Sequence, residues 1–162
     1  DNVEIYAMNA DGAGQRNLTD HPAFELESAF TPDSAQVAFT SDRDGKTQIY
    51  IMDADGSGQR RLHVSNGDAD PAFSPDGGRI AFVSDRDGGR RLYVMQADGS
   101  TPCLLTPGFD CVGRPTWSPD GAHIAFEDSS GGQQQIYRIG AEGGDALNLS
   151  DNTSNDFGPD WV

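Results

Sequence analysis

The residues of this chain best suited to chemistry are its aspartates. Asp42-Arg43-Asp44-Gly45 recurs 43 residues later as Asp85-Arg86-Asp87-Gly88. Two carboxylates one residue apart, followed by glycine, resemble the start of a calcium loop, in which alternating positions supply oxygens around a sharp turn. An EF-hand-type loop also needs a glutamate at its twelfth position, and here that position holds Asp53 or Gln96. The pattern therefore reads first as turn capping, in which an aspartate side chain bonds the backbone of its own turn. Calcium is the one cofactor the spacing still allows. The third copy departs from the pattern, as Asp128-Ser129-Ser130-Gly131.

A second acidic set is fixed by distance from a recurring aromatic residue. Five positions ahead of it stand Glu25, Asp68, Val112 and Asp156, and Asp70 follows two residues after Asp68. Acids repeated around a common axis would focus a negative potential. Scattered over a rim, they would only aid solubility. The chain carries a net charge of −15, with a single lysine, Lys46, among its basic residues. Nucleic-acid binding, which needs a basic stripe, is excluded on that ground. The expected partner is a protein, with a basic surface or a cation as the natural complement of the acids.

Other chemistry is sparse. His21, His63 and His123 lie near strand ends, and no Gly-x-Ser-x-Gly motif is present. No motif places a serine beside a histidine and an acid, so no catalytic residues are expected and the chain does not read as an enzyme. The glycines sit in turns and form no phosphate loop. Cys103 and Cys111, eight positions apart, are expected to form one disulfide tying a strand to the loop after it. Three Asn-x-Ser/Thr triplets begin at Asn17, Asn148 and Asn152, and the first two fall out of a repeated strand pattern. No apolar run approaches the ~20 residues of a membrane-spanning helix.

The elements that must position these residues are set by an internal repeat. Phe30-Thr31-Pro32-Asp33 returns as Phe73-Ser74-Pro75-Asp76 and as Trp117-Ser118-Pro119-Asp120, and Trp161 opens another copy. Ile5-Tyr6, Ile49-Tyr50, Leu92-Tyr93 and Ile136-Tyr137 keep the same period of 43 or 44 residues, as do Leu18, Leu62, Leu105 and Leu149. Each unit reads as four short antiparallel strands, a to d. In the unit around residues 72–106, strand a holds Ala72-Phe73, strand b is Arg79-Ile80-Ala81-Phe82-Val83, strand c is Arg91-Leu92-Tyr93-Val94-Met95, and strand d carries Leu104-Leu105-Thr106. Strand b is apolar on both faces, as in a sheet packed between two others. Four strands in about 43 residues is a propeller blade.

The predicted fold is thus an all-β propeller of about four repeats, forming a single domain or propeller segment over residues 1–162. The boundaries fall near 1–28 (partial), 29–71, 72–114, 115–157 and 158–162 (partial). At least 14 strands and no helix longer than two turns are expected. Strands c and d open the chain at residues 4–8 and 15–19, and strand a closes it at 159–162, so the first and last strands are expected to share one blade. The b–c and d–a connections of such a blade emerge on one face. That face gathers the expected binding residues: Glu25, Asp68, Asp70 and Asp156 with Asp42, Asp44, Asp85 and Asp87.

Pro-x-Phe/Trp-Ser-Pro-Asp-Gly, Ile-Ala-Phe-x-Ser-Asp-Arg-Asp-Gly, Ile-Tyr-x-Met-Asp-Ala-Asp-Gly and Arg-x-Leu-Thr together resemble the TolB-type, WD40-like propeller repeat over essentially the whole chain. The resemblance implies a non-catalytic scaffold that binds a protein in the periplasm or outside the cell. Two alternatives stay open. One is a structural subunit that completes its cut blade with another copy, as a homo-oligomer. The other is the propeller of a prolyl-oligopeptidase-like peptidase.

Overall fold

The computed structural model describes residues 2–62, 65 and 67–161; His63, named above, and the last residue of the expected closing strand, Val162, lie outside them. Among the described residues the chain forms fourteen strands and no helix. They are β1 (Tyr6–Ala7), β2 (Arg16–Asn17), β3 (Glu25–Phe30), β4 (Gln36–Ser41), β5 (Gln48–Asp53), β6 (Arg60–Arg61), β7 (Asp68–Phe73), β8 (Arg79–Ser84), β9 (Arg91–Gln96), β10 (Cys103–Leu104), β11 (Val112–Trp117), β12 (His123–Asp128), β13 (Gln135–Gly140) and β14 (Gly143–Asn148). β3–β6, β7–β10 and β11–β14 make three four-stranded antiparallel blades, and β1–β2 a two-stranded sheet ahead of them.

Local chemistry dictates the hairpins. In the a–b turn of the second blade the Asp76 carboxylate accepts from the Ser74 hydroxyl at 2.6 Å and from the Gly78 N–H at 2.9 Å. Asp33 and Asp120 make the same pair of bonds in the other two blades. These bonds hold all three carboxyls below the ordinary aspartate range. The c–d turn needs glycine for a different reason. Gly99 has φ +88°, and a Cβ there would lie 2.3 Å from the Leu62 carbonyl oxygen of the preceding blade. Its equivalent Gly56 approaches Leu18 in the same way.

Strand b is apolar on both faces because consecutive residues serve different neighbours. Ile80 and Phe82 join Ile49, Ile51 and Leu62 in the seam between the first two blades. Ala81 and Val83 join Trp117, Ile124 and Phe126 in the seam between the second and third. A third cluster sets Val37, Phe39, Tyr50 and Met52 against Leu18 and Ile5. The core is thus a row of seams, each built by two blades.

Strand a differs from its sequence reading. It is six residues long, and its ladder to strand b slips once, between Leu26 and Ala29, Ala69 and Ala72, and Gly113 and Thr116. At each slip one residue is left-handed: Glu27 (φ 54°), Asp70 (φ 53°) and Arg114 (φ 46°). Such a bulge lets pairing resume on the far side of an extra residue. Glu25, Asp68 and Val112 therefore lie on strands, where the sequence suggested d–a loops.

Two further expectations meet the geometry. Among the described residues β1 pairs with β2 alone and residues 159–161 join no strand, so the first and last strands do not share a blade there and the described arc is a partial propeller of three four-stranded blades. Trp161 still repeats the strand-a anchor: its Nε1 donates to Thr116 O at 3.2 Å, as Trp117 Nε1 does to Ala72 O at 3.0 Å. The predicted disulfide is not formed, and Cys103 and Cys111 are both free and exposed. Cys103 sits opposite Val94, whereas Cys111 bridges to Arg90, four residues back along the same chain. At ~3.3 Å per residue that is a separation of about 13 Å, well beyond the ~7 Å that a disulfide can span.

Candidate functional site

The first residues of strand a are buried clamps. Glu25 is fully buried; its Oε1 accepts from the Ser41 hydroxyl at 2.8 Å and from Arg43 Nη2 at 3.0 Å. Asp68, also fully buried, accepts from Arg86 Nη2 at 2.7 Å. Each arginine bonds the strand-b serine through Nε and lies over a tyrosine ring, Arg43 at 4.6 Å from Tyr50 and Arg86 at 4.8 Å from Tyr93. A buried carboxylate needs such a partner. These two acids serve the fold and present no surface to a ligand.

The third blade solves the same problem with other residues. Val112 stands where Asp68 stood, and the carboxylate has crossed the ladder to its partner, Asp128. Ser130 replaces the arginine and hydrogen-bonds Asp128 through both hydroxyl and N–H. The guanidinium's place against the rings goes to Phe109, edge-on to Phe126 at 5.4 Å and to Tyr137 at 5.1 Å.

The Asp-Arg-Asp-Gly turns hold their acids at the surface. Asp42 accepts from the Phe24 N–H at 2.9 Å. The hydroxyls of Tyr50 and Tyr93 donate to Asp44 and Asp87, and Arg61 lies 3.3 Å from Asp44. Burial, and then these carboxylates, push both phenols up to about 12. Asp85 is exposed, and its N–H donates to Gly67 O at 3.2 Å. Asp44 and Asp87 are taken up by tyrosines and Asp42 by the Phe24 N–H, and among the described residues no group of three or more His, Cys, Asp or Glu side chains could hold a metal ion. The calcium-loop resemblance is therefore one of spacing and not of convergence. Asp156 is half-buried and accepts from Asn152 Nδ2 at 2.7 Å, apart from the others.

The bulges converge on a cavity of about 570 Å³ whose wall includes Glu27, Asp70, Arg90, Asp110, Arg114 and Glu127. Asp70 accepts from Arg90 at 2.9 Å, Asp110 pairs with Arg91 at 2.9 Å, and Arg114 stands 3.7 Å from Glu127. Of the expected acids only Asp70 reaches this cavity. Glu27, Arg90 and Arg114 were missed as lining residues. Counting back three from the aromatic, instead of five, gives Glu27, Asp70, Arg114 and Gly158, all at positive φ.

The blades, the turns and the bulges all repeat one plan, and a family match agrees with it. The model of the TolB beta propeller domain matches residues 1–69 and 63–162. The chain belongs to the TolB β-propeller family. A putative TolB from Agrobacterium tumefaciens is 26% identical, with a TM-score of 0.84 over 94% of this chain and 56% of its own. TolB from Acinetobacter baumannii is 24% identical, with a TM-score of 0.83 over 93% of this chain and 38% of its own. This TolB-type chain thus spans little more than half of one solved TolB structure and less than half of the other. A puromycin-hydrolyzing peptidase from Mycobacterium tuberculosis, 19% identical with a TM-score of 0.71 over 92% of this chain and 26% of its own, shares the fold alone.

Proposed function

We propose that this TolB-type propeller is a non-catalytic scaffold, working in the periplasm or outside the cell, that takes a basic protein partner on its b–c and d–a loop face. One observation carries the reading. Asp85 and Asp87 are exposed there in addition to the acids paired with arginines, while Arg43, Arg86, Arg90 and Arg91 are each engaged by a carboxylate. The field leaving that face is negative, which steers and orients a basic surface. The test is titration with a defined lysine-rich peptide at several salt concentrations. Asp85→Asn/Asp87→Asn should weaken binding several-fold and flatten the salt dependence. The opposite-face pair Asp33→Asn/Asp76→Asn should not. Equal loss from both pairs would remove the loop face from the reading.

A second reading, association with another copy, rests on the leading end of the arc. Tyr6 and Met8 are 64% and 65% exposed, whereas their equivalents Tyr50 and Met52 are 5% and 0% exposed in the seam that covers them. A second copy that continued the row would bury them. Light scattering decides: a monomer at micromolar concentration would end this reading.

A further inference from the structure

Among the described residues the outer rim of the arc is made of four strand-d edges, β2, β6, β10 and β14. The ladders to strand c put Arg16, Arg60, Cys103 and Leu147 at one equivalent position. β2 and β6 carry arginine there and are two residues long. β10 is also two residues long, and Pro102 just ahead of it has no N–H to offer a further strand. Charge, proline and shortness are the devices that keep a free edge from pairing. β14 uses none of them: it is six residues long and holds no lysine, arginine or proline. Leu147 is 52% exposed. Cys103 is exposed at the same position with a blade on either side, so this position faces solvent whatever lies beyond the third blade.

The backbone of this edge is set for pairing. The Leu149 N–H donates to Ile136 O at 2.8 Å, and Leu147 stands opposite Arg138 on the same ladder. Inward and outward residues alternate along an antiparallel strand, so the N–H and C=O of Ala146 point away from β13. Ala146 is the counterpart of Pro102, 44 residues earlier. We propose that β14 is a docking edge that takes an extended, basic segment of a partner protein as a fifth strand of the third blade. In strand addition, main-chain bonds give affinity and alternate side chains give specificity. Asp145 and Leu147 are exposed and two residues apart, hence on one face. The added strand therefore carries lysine or arginine at one position and an apolar residue two positions away. Arg138 lies across β14 from such a strand. Arg16 and Arg60 repel a basic strand from the first two edges, so the third blade is selected. A second copy is a poor occupant, because two chains of net charge −15 repel each other. This edge is on the rim, and the inference stands apart from the loop-face reading.

The probe is a capped hexapeptide of alternating lysine and valine, matched to the six residues of β14. Titrated into the isotope-labelled chain, it should shift the amide resonances of residues 145–148 saturably. The same peptide with every backbone nitrogen methylated keeps its charge and side chains but cannot donate to a strand, and should leave those resonances in place. Shifts at the b–c loops arise from charge alone and survive methylation, so the two faces are read separately. Ala146→Pro carries the guard of β10 into β14 and should weaken binding at the edge about tenfold, the worth of one net hydrogen bond. Its Tm should stay close to native, because an edge strand tolerates proline where the N–H faces solvent. Leu147→Arg restores the guard of β2 and β6 and should act in the same way, which keeps the test intact if the proline variant fails to fold. Equal shifts from the two peptides, or full edge binding by the folded variants, would overturn the proposal. So would a native dimer that Ala146→Pro dissociates, since it would assign the edge to a second copy.

Discussion

Replacing Arg86 with alanine removes the one cation that the described residues place beside the fully buried Asp68 carboxylate. Asp68 has no exposed side-chain surface, and Arg86 is 18% exposed on its side chain, so water cannot substitute for the guanidinium without opening the blade. Asp68 Oδ2 already lacks a partner, and the change would leave the Arg86-bonded Oδ1 without its guanidinium as well. Breaking a buried pair from one side costs about 3–5 kcal/mol. The lost stacking on Tyr93 and Phe82, at 4.8 and 5.2 Å, adds about 0.5–1 kcal/mol. For a domain of this size the fall in Tm is about 10 °C, measured by circular dichroism or calorimetry. The double change Asp68→Val/Arg86→Leu imitates the apolar side of the third blade and leaves no charge behind. It should recover most of the loss, because replacing both members of a buried pair is far cheaper than orphaning one. If Arg86→Ala lowers stability by less than about 1 kcal/mol, or if the two single changes simply add, the clamp is not what holds the start of strand a.

Gly99→Ala should cost more than Gly88→Ala, although φ is +88° at one and +89° at the other. Only Gly99 has backbone within 3 Å of the added methyl, so denaturant melts should show about 1 kcal/mol at Gly88 and clearly more at Gly99. Trp117→Ala should cost about 3–5 kcal/mol. Trp161→Ala should cost less, because Trp161 is only partly covered while Trp117 is 7% exposed and sits within a seam. A thiol reagent should titrate two free sulfhydryls in the native protein without reductant, and a value near zero would restore the disulfide. Ultraviolet titration should find Tyr50 and Tyr93 protonated until about pH 12. Since the unfolded phenols ionise near pH ~10, stability should fall as pH rises from there towards the folded values.

Sequence reading reached the blades because their determinants are local. Pro75 and Asp76 build the a–b turn from neighbouring atoms, and the alternation of Ile80, Ala81, Phe82 and Val83 is written in consecutive positions. It failed at strand a because the bulge depends on a left-handed residue, and neither Glu27, Asp70 nor Arg114 advertises that conformation as glycine would. Gly158, at the same position of the last repeat, was the available clue. The reading also credited the aspartates of Asp-Arg-Asp-Gly and overlooked the arginine between them. Arg43 and Arg86 recur in phase, and a buried acid one strand away needs a cation, but only the three-dimensional pairing shows which acid. The disulfide failed for the same reason, since eight residues of chain lead the two thiols to distant rungs of the ladder.

Because alternate residues of strands b and c belong to different seams, no blade owns a core of its own. A lone blade cut out of this arc would expose Phe82 on one side and Val83 on the other. Blades can therefore be gained or lost only as whole repeats, since a fraction of one would leave a seam with one of its two sides missing. A period added anywhere in the row brings both halves of a new joint with it. What duplication copies is thus the joint between blades, and a newly copied blade meets the surfaces its predecessor met even before its own sequence has changed.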